Sequence, residues 1–122
     1  MKVRLALRAI APLFVCAALF HVYRVVAPVP DEPTWRHALF VCVNLLIAAG
    51  LWYKPHWLVV PFGLLTGQQL VSHGSSLYAA WHMQHTIDWP SIGVLLLMPV
   101  VFVLLLLEVR RRRYALSSEN AQ

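Results

Sequence analysis

The chain reads as an all-α integral membrane protein, with four transmembrane helices in an antiparallel up-down bundle and both termini cytoplasmic. Three observations predict this. Hydrophobic residues fill 60% of the 122 positions and charged residues only 12%, against roughly 45–50% and about 25% in soluble domains. A single domain of this length could not hide that excess in a core, so it must face lipid. Four stretches approach the ~20 mostly apolar residues a membrane helix requires. The basic residues fall where membrane topology would put them.

The first span covers about 10–27 and ends at "PVPDEP", which cannot continue a helix. The second covers 36–53 and ends at "KPHW", and the third covers 57–80. The fourth covers 89–108 and stops at "RRRR". Asp88, just before Trp89-Pro90, suits the N-cap of that last helix. Pro61 and Pro99 fall inside spans, where proline is tolerated and each can kink its helix. Short connections make sequential helices antiparallel neighbours. The chain thus divides into a basic N-terminus (1–9), a membrane domain (10–109) and a basic, polar tail (110–122), frayed from Ala115 onward.

Charge sets the orientation. Lys2, Arg4, Arg8, Lys54 and the arginine run 110–113 supply eight of the ten basic residues to one side. The other side holds Arg24 and Arg36, offset by Asp31, Glu32 and Asp88. The positive-inside rule makes the richer side cytoplasmic. Trp35, Trp81 and Trp89 then form an outer aromatic belt, with Trp52 and Trp57 inside. The same rule accounts for the net charge of +5, so nucleic acid is not an expected partner. The expected partners are membrane lipids, anionic headgroups at the arginine run included, and other membrane subunits. A bacterial-type plasma (inner) membrane is the expected location. A signal peptide is the rival reading of the first span, but the apolar run continues past the Val15-Cys16-Ala17 candidate cleavage site.

The polar residues inside the spans are the unusual feature. At about 1.5 Å of rise per residue, His21, Asn44 and His73 each lie roughly 10 Å from the outer end of their span. In "QQLVSHGSS", helical spacing puts Thr66, Gln69, His73 and Ser76 in one stripe, with Ser72 beside it and Gln68 turned aside. Polar groups at such depth face a bundle interior or a water-filled cavity. The reading is an outward-facing pocket lined by His21, Asn44, Gln69, Ser72 and His73, with Arg24 available to an anionic group. His37, His82, His85 and Asp88 form its rim. The fourth span offers no polar partner at that depth. Gly63, Gly67 and Gly74 would let backbones approach closely.

Several chemistries fit these residue types. Asn, Gln, Ser and His commonly join membrane helices by hydrogen bonds. Two histidines at matched depth could ligate a b-type haem. His82 and His85, with Met83, His37 or Asp88, could hold copper or zinc, although a lone H-x-x-H is a weak motif. Intramembrane histidines also serve proton or small-solute paths, but no acid lies in a span core and Glu108 sits at an inner end. Quinone or lipid binding is a comparable alternative. Catalysis finds little support: no G-x-S-x-G surrounds Ser72, Ser75 or Ser76, and no carboxylate is placed to orient His73. Cys16 and Cys42 differ in depth and read as inert core thiols. No motif ties the chain to a known family. The leading expectation is a non-enzymatic accessory subunit or small-ligand binder, with a haem or copper redox protein next and a proton or solute path third.

Overall fold

The computed structural model describes residues 2–28, 32–53 and 55–119. Asp31 and Lys54, both counted in the charge balance above, lie outside the described residues. Those described form α1 (Lys2–Val26), α2 (Thr34–Tyr53), a short 3-10 turn (Pro55–Leu58), α3 (Val59–Gln84) and α4 (Trp89–Glu119). The all-helical class is therefore as expected. Three helices, α1, α2 and α4, are long and apolar enough to cross a membrane. With 26 residues α3 has the length, but its glutamines, histidines and serines dilute its hydropathy.

The chain divides into two units, 1–57 and 58–122. The first is the α1–α2 hairpin. Its seam is a heptad-like row, Leu7, Ala11, Phe14 and Ala18 on α1, with Asn44, Ile47, Ala48 and Leu51 on α2. Antiparallel pairing sets the start of α1 beside the end of α2. There Arg8 Nε donates to the Trp52 carbonyl at 3.2 Å and Arg4 reaches the Tyr53 carbonyl at 3.5 Å. The last carbonyls of a helix have no partner within it, and cations favour that end of the dipole. The N-terminal arginines thus cap the neighbouring helix as well as carrying topogenic charge.

The second unit is the α3–α4 hairpin. Phe62, Thr66, Gln69 and Ala80 of α3 are buried, as are Ser91, Met98, Val101, Leu105 and Glu108 of α4. The α4 positions keep near-heptad spacing. A Cβ at Gly63 would stand 2.8 Å from Phe102 Cε2, so this glycine admits the Phe102 ring. Gly67 and Gly74 face open space, which corrects the expectation that all three glycines permit close approach.

Other expectations change. Asp88 does cap α4: its Oδ1 accepts the Ser91 N–H at 3.1 Å. But α4 does not stop at the arginines; it runs on to Glu119. Arginine, alanine and leucine are strong helix formers, and Glu108–Arg112 and Arg110–Tyr114 contacts at i,i+4 support the extension. Pro61 kinks nothing, because it lies in the first turn of α3 where its missing N–H has no partner to lose. Cys16 and Cys42 are exposed, not core.

Candidate functional site

Each hairpin carries a hydrogen-bonded chain at its loop end. In the first, Glu32 Oε2 accepts from Arg24 at 2.5 Å and from His37 Nε2 at 2.9 Å. On its other side, His37 Nδ1 meets His21 Nδ1 at 3.0 Å. The geometry follows from the fold: Arg24 and His21 stand one turn apart on α1, and His37 is in the first turn of α2. His21 also stacks on Phe40 at 5.3 Å. Arg24 above all, then His37, holds the Glu32 carboxyl below the usual carboxylate range.

Proton counting orients this chain. An ionised carboxylate only accepts, so His37 Nε2 carries hydrogen. Neutral His37 then offers Nδ1 as a lone pair, and His21 Nδ1–H fills it. The His21 Nε2 lone pair is left over. The contact itself holds one hydrogen, and an added proton goes to His21 Nε2. A hydrogen on each Nδ1 would place two N–H groups head to head at 3.0 Å.

In the second hairpin, Ser91 Oγ lies 2.5 Å from Asp88 Oδ2 and 2.8 Å from His73 Nδ1. Two expectations are overturned here. The fourth span does supply a polar partner, Ser91, and a carboxylate does act on His73 through it. Ser91 escapes a reading of the sequence because the pair is 18 residues apart, and only the hairpin register joins them. The Ser91 hydroxyl above all holds the Asp88 carboxyl below its usual range; burial opposes it, and the Ser91 N–H and His73 add to the lowering. The order Asp–Ser–His differs from a hydrolytic triad, in which histidine stands in the middle. Ser91 is also buried and its proton committed, so it is no nucleophile.

The remaining candidates mostly serve their own helices. Asn44 is buried and donates to the Phe40 carbonyl at 2.8 Å. Thr66, Ser75 and Ser76 bond carbonyls one turn back. Gln69 is buried and donates to exposed Gln68, and Ser72 is half-buried. Of the polar stripe, His73 is the member bonded to α4. His82 donates to the Tyr78 carbonyl at 3.1 Å and stacks on that ring at 4.1 Å. His85 ends α3 in the left-handed conformation, φ 52°. Among the described residues no group of three or more His, Cys, Asp or Glu side chains could hold a metal ion. Glu108, expected at the inner end of its span, is 2% exposed. Its Oε1 faces Arg112 at 3.4 Å, and its Oε2 has no partner among the described residues.

His21 and Asn44 belong to one unit, and Gln69, Ser72 and His73 to the other. The class these features define is an all-helical chain of two helical hairpins with three helices fit to cross a membrane. Comparison with models of protein families, curated proteins and solved structures finds no match.

Proposed function

We propose that the chain is a four-span protein of a bacterial-type plasma membrane, both termini cytoplasmic, and a non-enzymatic accessory subunit whose bound ligand is the proton. The observation that carries this is the Arg24–Glu32–His37–His21 chain, which runs from a loop carboxylate to a histidine inside a long apolar helix. Imidazole is the side chain that exchanges protons near neutral pH. A proton taken at His21 Nε2 can leave through His37 toward Glu32, and the reverse transfer returns it. In the proposed topology Asn44, Gln69, Ser72 and His73 lie in the same outer half of the membrane. Lipids and other membrane subunits are its partners.

The test is nitrogen NMR of the histidine-labelled full chain in phospholipid nanodiscs. His21 is expected as the Nδ1–H tautomer and His37 as the Nε2–H tautomer, with a coupling between the two Nδ1 atoms across the hydrogen they share. Reversed tautomers, or no coupling, would refute the reading. A reporter fused after Gln122 checks the orientation: a cytoplasmic signal is expected, and a periplasmic one overturns the topology.

One observation favours a second reading, haem or copper. The proton count leaves His21 with an available Nε2 lone pair while its Nδ1–H is held by a neighbour, as in metal-ligating histidines. A visible spectrum with and without dithionite, together with a metal assay, decides this. A Soret band or bound copper lost in His21→Ala would replace the proton as the site's ligand.

A further inference from the structure

The second hairpin repeats the plan of the first without repeating its sequence. In each, a carboxylate beside the loop (Glu32 or Asp88) is joined to a histidine of the first helix (His21 or His73). The link is one residue in the first turn of the second helix, His37 or Ser91. The link differs, and the difference decides what each chain can do.

Ser91 has a single hydroxyl proton. Its Oγ approaches Asp88 Oδ2 to 2.5 Å, and two oxygens at that distance need the proton between them. The carboxylate, ionised, brings none. The Ser91 lone pairs therefore face His73 Nδ1 at 2.8 Å. A lone pair cannot bond a lone pair, so Nδ1 must carry hydrogen. Ser91 is 2% exposed, so its hydroxyl has these two partners and not water, and its own N–H anchors Asp88 Oδ1 at 3.1 Å.

We infer that Ser91 is a positioning residue: it holds neutral His73 as the Nδ1–H tautomer and so presents Nε2 as the acceptor for a proton or for an O–H or N–H donor. The Asp88 carboxylate is linked to His73 by hydrogen bonds through Ser91. A hydroxyl cannot take up a proton as imidazole can, so Ser91 fixes the tautomer of His73, whereas His37 can itself carry the proton it passes on. The inference deepens the proton-site reading and relies on it for the site's use, not for its geometry.

The experiment is nitrogen NMR on the same histidine-labelled full chain in nanodiscs, at a pH where the histidines are neutral. Wild-type His73 is expected as the Nδ1–H tautomer. Ser91→Ala should reverse the major tautomer to Nε2–H, the form free imidazole side chains prefer, and Ser91→Thr should restore Nδ1–H. Unchanged His82 and His85 signals, from the same hairpin as Ser91, show that the variants fold. A wild-type His73 already in the Nε2–H form overturns the inference without any variant. So does a Ser91→Ala spectrum identical to wild type. If His73 behaves as stated while His21 and His37 share no hydrogen, Ser91 keeps its role and the proton-sharing reading alone fails.

Discussion

Replacing Asp88 by alanine removes two bonds that asparagine can separate. The Oδ1 contact to the Ser91 N–H is an N-cap, and losing one costs about 1 kcal/mol. The Oδ2 contact accepts the Ser91 hydroxyl. A bond to a charged acceptor contributes about 1.5–3 kcal/mol, of which about 1 returns when the hydroxyl turns to His73 Nδ1 instead. Because Asp88 is only half-buried, the lower end applies, and the sum for Asp88→Ala is about 1.5 kcal/mol. Asp88→Asn keeps the cap and should lose about 0.5 kcal/mol. For a chain of this size roughly 4 °C accompanies each kcal/mol. Thermal unfolding in detergent, followed by circular dichroism, should therefore rank wild type about 2 °C above Asp88→Asn, and Asp88→Asn about 4 °C above Asp88→Ala. The pH dependence has a definite sign. The Asp88 carboxyl is lowered in the folded state, so its contribution is complete above the unfolded carboxylate value of about 4. It is lost as pH falls through the lower folded value. The gap between wild type and Asp88→Ala should be constant from about pH 5 upward and narrow as the pH falls below about 4, toward the gap that neutral Asp88→Asn keeps through its cap. Equal stability of the two proteins at neutral pH, or a gap that does not narrow at low pH, would count against the assignment of two bonds.

Two further substitutions probe the second hairpin. Gly63→Val drives a branched side chain into the Phe102 ring, whose Cε2 stands 2.8 Å from where the new Cβ must go; overpacking should cost about 1–3 kcal/mol. Adding Phe102→Leu to Gly63→Val should recover most of that in the same melting assay, and no recovery would show that the ring is not the obstacle. His85 holds φ 52°, a conformation that costs a side-chain-bearing residue about 1 kcal/mol. His85→Gly should therefore raise the melting temperature by about 4 °C, whereas a fall would mean that the His85 ring makes stabilising contacts.

Helix starts and stops marked by proline or by a cap are legible from residues alone. Asp88 shows its capping role in the sequence because a short acceptor before Trp89-Pro90 has few other uses, and α2 ends at Tyr53 just before "KPHW". Membrane reasoning misplaces the other boundaries, since apolarity marks where lipid would end and not where helix ends. Lys2, Arg4 and Arg8 are compatible with helix, so α1 begins at Lys2 and not near residue 10. The histidines at depth are visible, but their partners are not. His37 reads as a rim residue, and Ser91 is hidden in an apolar run. Both pairings depend on hairpin register, which no local pattern encodes. The polar stripe of α3 misleads in the opposite direction: serine and threonine hydroxyls can satisfy themselves on the preceding turn, so a shared face does not mean a shared site.

The continuation of α4 through its arginines has a mechanical consequence. Its 31 residues make a rod about 46 Å long, while a hydrocarbon core is about 30 Å thick. In the proposed orientation the surplus, roughly 16 Å by that rise, stands in the cytoplasm as a stalk rooted at the arginine run. A flexible tail would average away any motion of the helix beneath it. A helical stalk converts tilt or rotation of α4 into displacement at its tip.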